Sequence, residues 1–152
     1  MNDIRGRFRV GVIGGSRAGR EALLAAERIG RLVAEREGII VCGGLGGVME
    51  AACRGAREAG GLAIGILPGN DPADANAFVD VPLATGLGYT RNSLVALNAD
   101  VLIAVDGEYG TLSEIAFGII YGKTVIGLGT WAVKGVVPVG TPEEAVELAF
   151  KR

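Results

Sequence analysis

The chain has 152 residues, 49% of them apolar and 21% charged, with a formal net charge of −2 at pH 7. That length fits one domain with a core that needs no disulfide or metal, and the near balance of charge excludes a broad nucleic-acid or membrane surface. No histidine is present, so Ser–His and Cys–His catalysis and His-ligated metals are excluded too.

Phe8–Ile13 reads as a first strand running into the loop Gly14-Gly15-Ser16-Arg17. An amphipathic helix follows over about Gly19–Glu37, with Leu23, Leu24, Ala26, Ile29, Leu32 and Val33 on its apolar face and Gly38 ending it. Ile39–Cys42 is a second strand, GGLGG at 43–47 a second glycine loop, and Val48–Ala59 a helix closed by Gly60-Gly61. Leu62–Leu67 is a third strand, Asn70–Ala77 a polar surface loop, and Phe78–Val81 a short strand. Tyr89–Asn98 reads as a helix leading into a strand at Val101–Val105. A loop with glycines at 107 and 110 precedes a helix from about Thr111 to Tyr121. Thr124–Leu128 and Val136–Val139 complete the strands. Thr141-Pro142-Glu143-Glu144 is a capping box with proline at the first helical position, opening a helix that runs to the C-terminus.

Strands alternating with helices predict a Rossmann-like, doubly wound α/β fold: one parallel sheet covered on both faces, in a single domain over residues 1–152. No internal repeat or linker divides the chain. No apolar run reaches the roughly 18 residues of a membrane span. The opening MNDIRGRFRV lacks the apolar stretch of a secretory signal, so a cytoplasmic protein is expected.

In such sheets ligands bind beyond the carboxyl ends of the strands, near the switch point. Three glycine loops follow strands here, and glycine lets the backbone come close to a ligand while a new helix offers free N–H groups. The candidate ligand-binding set is Gly14, Gly15 and Ser16 from the first loop, and Gly43, Gly44, Gly46, Gly47 and Met49 from the second. Gly107, Tyr109, Gly110 and Thr111 from the third loop join them, with Asn92. No loop carries a dinucleotide fingerprint, since Met49 stands where its third glycine would be, and no Gly-Lys-Ser/Thr of a P-loop occurs. Cys42 and Cys53 have no further sulfur or imidazole ligand near them and read as buried small hydrophobes, so no metal site is expected. The three lysines, Lys123, Lys134 and Lys151, all lie outside the glycine loops, which sets pyridoxal chemistry aside.

The segments GGLGGVMEAACRGAREAGG (43–61), IGILPGNDPADAN (64–76), TGLGYTRN (85–92) and GTLSEIAFGIIYGK (110–123) resemble the molybdenum-cofactor carrier proteins. More broadly they resemble the Lonely Guy superfamily, long mislabelled lysine decarboxylases. The likeness runs from about Val10 to Leu128. It implies the same fold, homodimers or dimers paired into tetramers, and, for catalytic members, phosphoribohydrolases that cut the N-glycosidic bond of cytokinin nucleoside 5′-monophosphates. In those enzymes an arginine and the glutamate of Gly-Thr-x-x-Glu act. The matching residues are Arg91 and Glu114, at the family's spacing.

The chain also departs from that pattern. Asp106-Gly107-Glu108 stands where the enzymes have Pro-Gly-Gly and the carriers usually three glycines, so two carboxylates are expected to bracket the phosphate seat. Asn92 replaces the lysine that follows the arginine in the cytokinin enzymes, as in the carriers.

Two functions follow. The first is a binding or carrier protein for a phosphorylated nucleotide-like or pterin ligand, with the molybdenum cofactor or a nucleoside monophosphate as ligand and no other cofactor required. The second is a nucleoside 5′-monophosphate N-glycosidase, in which Glu114 stabilises the sugar cation or activates water and Arg91 holds the phosphate or orients the carboxylate. Alternatively Arg91 and Glu114 form an ion pair tying two helices together.

Overall fold

β-branched residues fill the strands, and alternate side chains of each strand leave the sheet on opposite faces. The computed structural model describes residues 3–151. The strands are β1 (Arg9–Gly14), β2 (Ile39–Cys42), β3 (Leu62–Leu67), β4 (Val81–Ala84), β5 (Val101–Val105), β6 (Thr124–Leu128) and β7 (Val136–Pro138). They form one sheet in the order β4-β3-β2-β1-β5-β6-β7, and every neighbouring pair runs parallel. The helices are α1 (Arg20–Glu35), α2 (Val48–Glu58), α3 (Asn92–Asn98), α4 (Tyr109–Ile120) and α5 (Pro142–Ala149).

One strand thus feeds two cores. Val101, Ile103 and Val105 pack with Ala26, Ile29 and Val33 of α1, Ala52 of α2 and Val146 of α5. Leu102 and Ala104 pack on the other face with Val95 of α3 and Ile115 of α4. The result is the three-layer, Rossmann-like α/β architecture expected from the sequence. The chain winds outward from β1 through β2, β3 and β4, then returns to lay β5 on the other side of β1. The carboxyl ends of β1 and β5 are therefore the switch point, and the first and third glycine loops leave from there.

Most element boundaries fall within two residues of their sequence expectations, and the differences have local causes. α1 stops at Glu35 because Glu37 turns left-handed (φ 61°), which directs Gly38 N–H back to the Val33 carbonyl at 2.9 Å. The short strand expected at Phe78–Val81 lies at Val81–Ala84 instead. Asp80 takes the preceding place, its carboxylate accepting from Ala63 N–H and its own N–H donating to Ala63 O. Phe78 sits beneath the guanidinium groups of Arg54 and Arg57. The expected Tyr89–Asn98 helix divides into a 3-10 turn at Gly88–Arg91 and α3. Half of the capping box forms: Thr141 Oγ1 accepts from Glu144 N–H, while the Glu144 carboxylate accepts from Gly140 N–H, one residue before the cap. Among the described residues no helix is long and apolar enough to cross a membrane.

Candidate functional site

The first two glycine loops are fastened to each other. Val48 N–H, at the start of α2, donates to Gly15 O at 3.0 Å. Gly47 makes this approach possible: its φ is 65°, and a Cβ there would lie 2.2 Å from Gly15 O. Asn76 braces the second loop, with its N–H on Gly44 O and its side-chain amide on Leu45 O, both at 2.9 Å.

Between these loops and the start of α4 lies a cleft of about 320 Å³. Of the residues singled out in the sequence, Gly14, Gly15, Ser16, Met49, Asn92, Gly110 and Thr111 line it, as do Arg91 and Glu114. Gly43, Gly44, Gly46, Gly47 and Gly107 do not line it. Tyr109 also stays outside, its ring centroid 5.6 Å from that of Trp131. Arg17, Leu45, Tyr89 and Glu108 complete the lining. Arg17 and Leu45 lie in the first and second glycine loops, where only their position beside glycines points to them. Tyr89 carried no signal beyond its closeness to Arg91.

Arg91 is only 6% exposed although it ends a surface turn. Its Nε donates to the carbonyl of Ile66 at 2.8 Å and its Nη2 to that of Gly43 at 3.2 Å, while Nη1 donates to Asn92 Oδ1. Gly43 leaves room for this, since a Cβ there would stand 2.5 Å from Arg91 Nη2 and 2.8 Å from Met49 Sδ. Asn92, buried too, passes the restraint on: its Nδ2 donates to Ser113 Oγ at 3.0 Å and to Gly110 O at 3.4 Å, in the first turn of α4. The carbonyls of Ile66 in β3 and Gly43 just after β2, with the Asn92 side chain, thus fix the guanidinium. Burial pulls Arg91 below its ordinary value, and Glu114 acts against that.

Glu114 lies one turn into α4 and is 7% exposed. Among the described residues its carboxyl group joins no hydrogen bond, and it forms no direct ion pair with Arg91. The ion-pair tie between helices therefore does not form, because Arg91 turns its nitrogens toward carbonyl groups and Asn92. Burial raises Glu114 from 4.5 to about 8, with Arg91 only partly opposing it. A neutral carboxyl at the base of a cleft can donate an O–H hydrogen bond. Once ionised, it can stabilise a developing cation.

The two carboxylates of the third loop part company. Glu108 lines the cleft, whereas Asp106 lines a different hollow on the other face of the sheet. Asp106 adopts φ 53°, and its carbonyl accepts from Thr130 Oγ1 at 2.7 Å, which turns the chain there. Gly107 follows at φ 107°, where a Cβ would lie 2.5 Å from Thr111 Cβ. So a single carboxylate, not two, borders the start of α4. Cys42 and Cys53 are both buried, their sulfurs 3.5 Å apart. Among the described residues no three Cys, Asp or Glu side chains gather in a metal-ligating group.

The parallel sheet thus brings a buried arginine and a glutamate that hydrogen-bonds no protein group among the described residues into one cleft near its switch point. The SLOG cluster4 family model matches residues 7–149. The chain belongs to that family. It is 43% identical over 140 residues to an uncharacterised protein of Archaeoglobus fulgidus, covering 91% of this chain and 92% of that one. It is 31% identical over 121 residues to a cytokinin riboside 5′-monophosphate phosphoribohydrolase of Arabidopsis thaliana, covering 76% of this chain and 53% of that enzyme. Among solved structures, the molybdenum cofactor binding protein of Rippkaea orientalis superposes with a TM-score of 0.90 at 34% identity, covering 95% of this chain and 96% of that one. The molybdenum cofactor carrier protein of Chlamydomonas reinhardtii gives 0.83 at 32% identity, covering 93% and 95%.

Proposed function

We propose that the cleft binds a small phosphorylated pterin or nucleotide-like molecule and that the protein carries it without breaking it down, the molybdenum cofactor being its cargo. The observation that carries this reading is the unpartnered, buried Glu114 in the same cleft as Arg91. The Glu114 carboxyl group opens to the cleft without a hydrogen-bond partner, and a bound ligand would supply one. Burial raises Glu114 to about 8, so its protonated form can donate a hydrogen bond to a ligand near pH 7. Asn92, locked between Arg91 and α4, supports the carrier reading as well. So do solved relatives whose names state that they bind or carry the molybdenum cofactor, and which match nearly the whole chain.

A second reading, N-glycosidase action on nucleoside 5′-monophosphates, is favoured by Arg91 and Glu114 meeting in one cleft, as the enzyme resemblance requires. Two measurements separate the readings. A carrier gains melting temperature with molybdopterin or nucleoside monophosphates by mass action and releases no ribose 5-phosphate above background. An enzyme releases it, and Glu114→Gln lowers that release by roughly two orders of magnitude or more with little change in affinity.

The same reading includes a homo-oligomer, a dimer or a tetramer. Leu97 of α3 and Ile120 of α4 are 51% and 72% exposed, beside the stacked rings of Phe117 and Tyr121. Such an apolar face fits a second copy of the chain. Light scattering at micromolar concentration should give a multiple of 15.5 kDa, and a monomer mass would contradict it. A cytoplasmic location belongs to this reading too, with cell fractionation as its check.

A further inference from the structure

The cleft is electrically lopsided. Three of the five N–H groups of Arg91 already serve internal acceptors, which leaves it fewer donors for a phosphate. Arg17, on the turn after β1, is exposed, lines the cleft and forms no ion pair among the described residues. Glu108, on the turn after β5, lines the same cleft immediately before α4 and caps no backbone N–H with its side chain. The turn bearing Glu108 is held in place by Trp131 Nε1, which donates to Glu108 O at 3.1 Å, and by Leu112 N–H, which donates to the same carbonyl at 3.0 Å. Its backbone is therefore fixed beside the helix end that would otherwise attract an anion. Glu114, buried and unpartnered at the cleft base, marks the space as built for a polar ligand.

We propose that Arg17 holds the phosphate of the ligand at the β1–α1 turn, and that Glu108 repels phosphate from the start of α4 and instead accepts a hydrogen bond from a hydroxyl or amino group. This rests on the cleft being the ligand site. It gives the ligand a direction: its anionic end lies over β1, and its hydrogen-bond-donating end lies over β5. A phosphate dianion placed beside Glu108 would meet like charge at short range. Beside Arg17 it meets a guanidinium suited to two parallel hydrogen bonds.

The test compares guanosine 5′-monophosphate with guanosine by titration calorimetry on the intact protein. Guanine shares its 2-amino-4-oxopyrimidine ring with pterins, and the two probes differ only by the phosphate. Wild-type protein should prefer the monophosphate. Arg17→Gln should cut monophosphate affinity about tenfold or more while leaving guanosine affinity within about twofold. Glu108→Gln should raise monophosphate affinity several-fold at low salt and less at high salt. Both residues are exposed, so both variants are expected to fold, and an unchanged melting temperature verifies it. A monophosphate preference that survives Arg17→Gln overturns the inference. Equal wild-type binding of both probes overturns it too but leaves the cleft as a ligand site. If neither probe binds, the inference fails together with the reading beneath it.

Discussion

Two hollows flank the carboxyl end of β5. One, of about 640 Å³, lies on the α1 and α5 face, bordered by Ala22, Leu24, Leu128 and Pro142 with Glu21 and Asp106 at its edge. The other, about 320 Å³, lies between the glycine loops and α4 and contains Arg91, Asn92 and Glu114. In the larger hollow the charged side chains are exposed, so holding them there costs little. In the smaller one two ionisable residues are largely buried, and the carboxyl group of one of them opens to the cleft with no hydrogen-bond partner. Volume measures how loosely the elements meet; a buried acid without a partner shows where the chain gives up stability for chemistry.

Replacing Glu114 tests that contrast most strongly. Its pKa is raised from 4.5 to about 8 in the folded chain, so its contribution to stability is full below about pH 4.5 and is lost as pH rises toward 8. Wild-type stability should therefore decline between about pH 5 and pH 8. Glu114→Gln keeps the neutral form at every pH and should flatten that decline, gaining about 2–4 kcal/mol at pH 8. Denaturant melts at the two pH values measure it, and parallel curves for both proteins would remove Glu114 as the source.

Gly43→Ala should come next. The new Cβ would press on Arg91 and Met49, costing about 1–3 kcal/mol by overpacking and lowering ligand affinity as the guanidinium shifts. Denaturant titration and calorimetry read the two effects, and an unperturbed protein would show that Arg91 is not caged. Asn92→Ala should cost about 1–2 kcal/mol, because it strips an acceptor from buried Arg91 and a tie from α4. The smallest effects belong to the larger hollow. Asp106→Asn and Leu24→Ala should leave ligand affinity within about twofold, and a larger loss by calorimetry would move the site to that side.

The sheet was legible because its strands are continuous apolar runs bounded by glycine, a pattern that fits a parallel sheet buried on both faces. β4 was misplaced because an edge strand half in solvent, with Pro82 within it, lacks that periodicity. The pairing of Arg91 and Glu114 in one cleft was readable from the motif they share with relatives. The cage around Arg91 was not, since its acceptors are backbone carbonyls of Ile66 and Gly43, atoms that every residue possesses. Nor was the divergence of Asp106 and Glu108. Side chains two apart in a loop share no fixed face, and here a left-handed residue at Asp106 stands between two separate hollows.

The decisive measurement is a crystal structure of the protein with guanosine 5′-monophosphate or molybdopterin bound. The ligand should lie in the smaller cleft, with one of its polar atoms within hydrogen-bond distance of Glu114. A ligand seated instead against Leu24 and Asp106, with Glu114 untouched, would contradict this assignment.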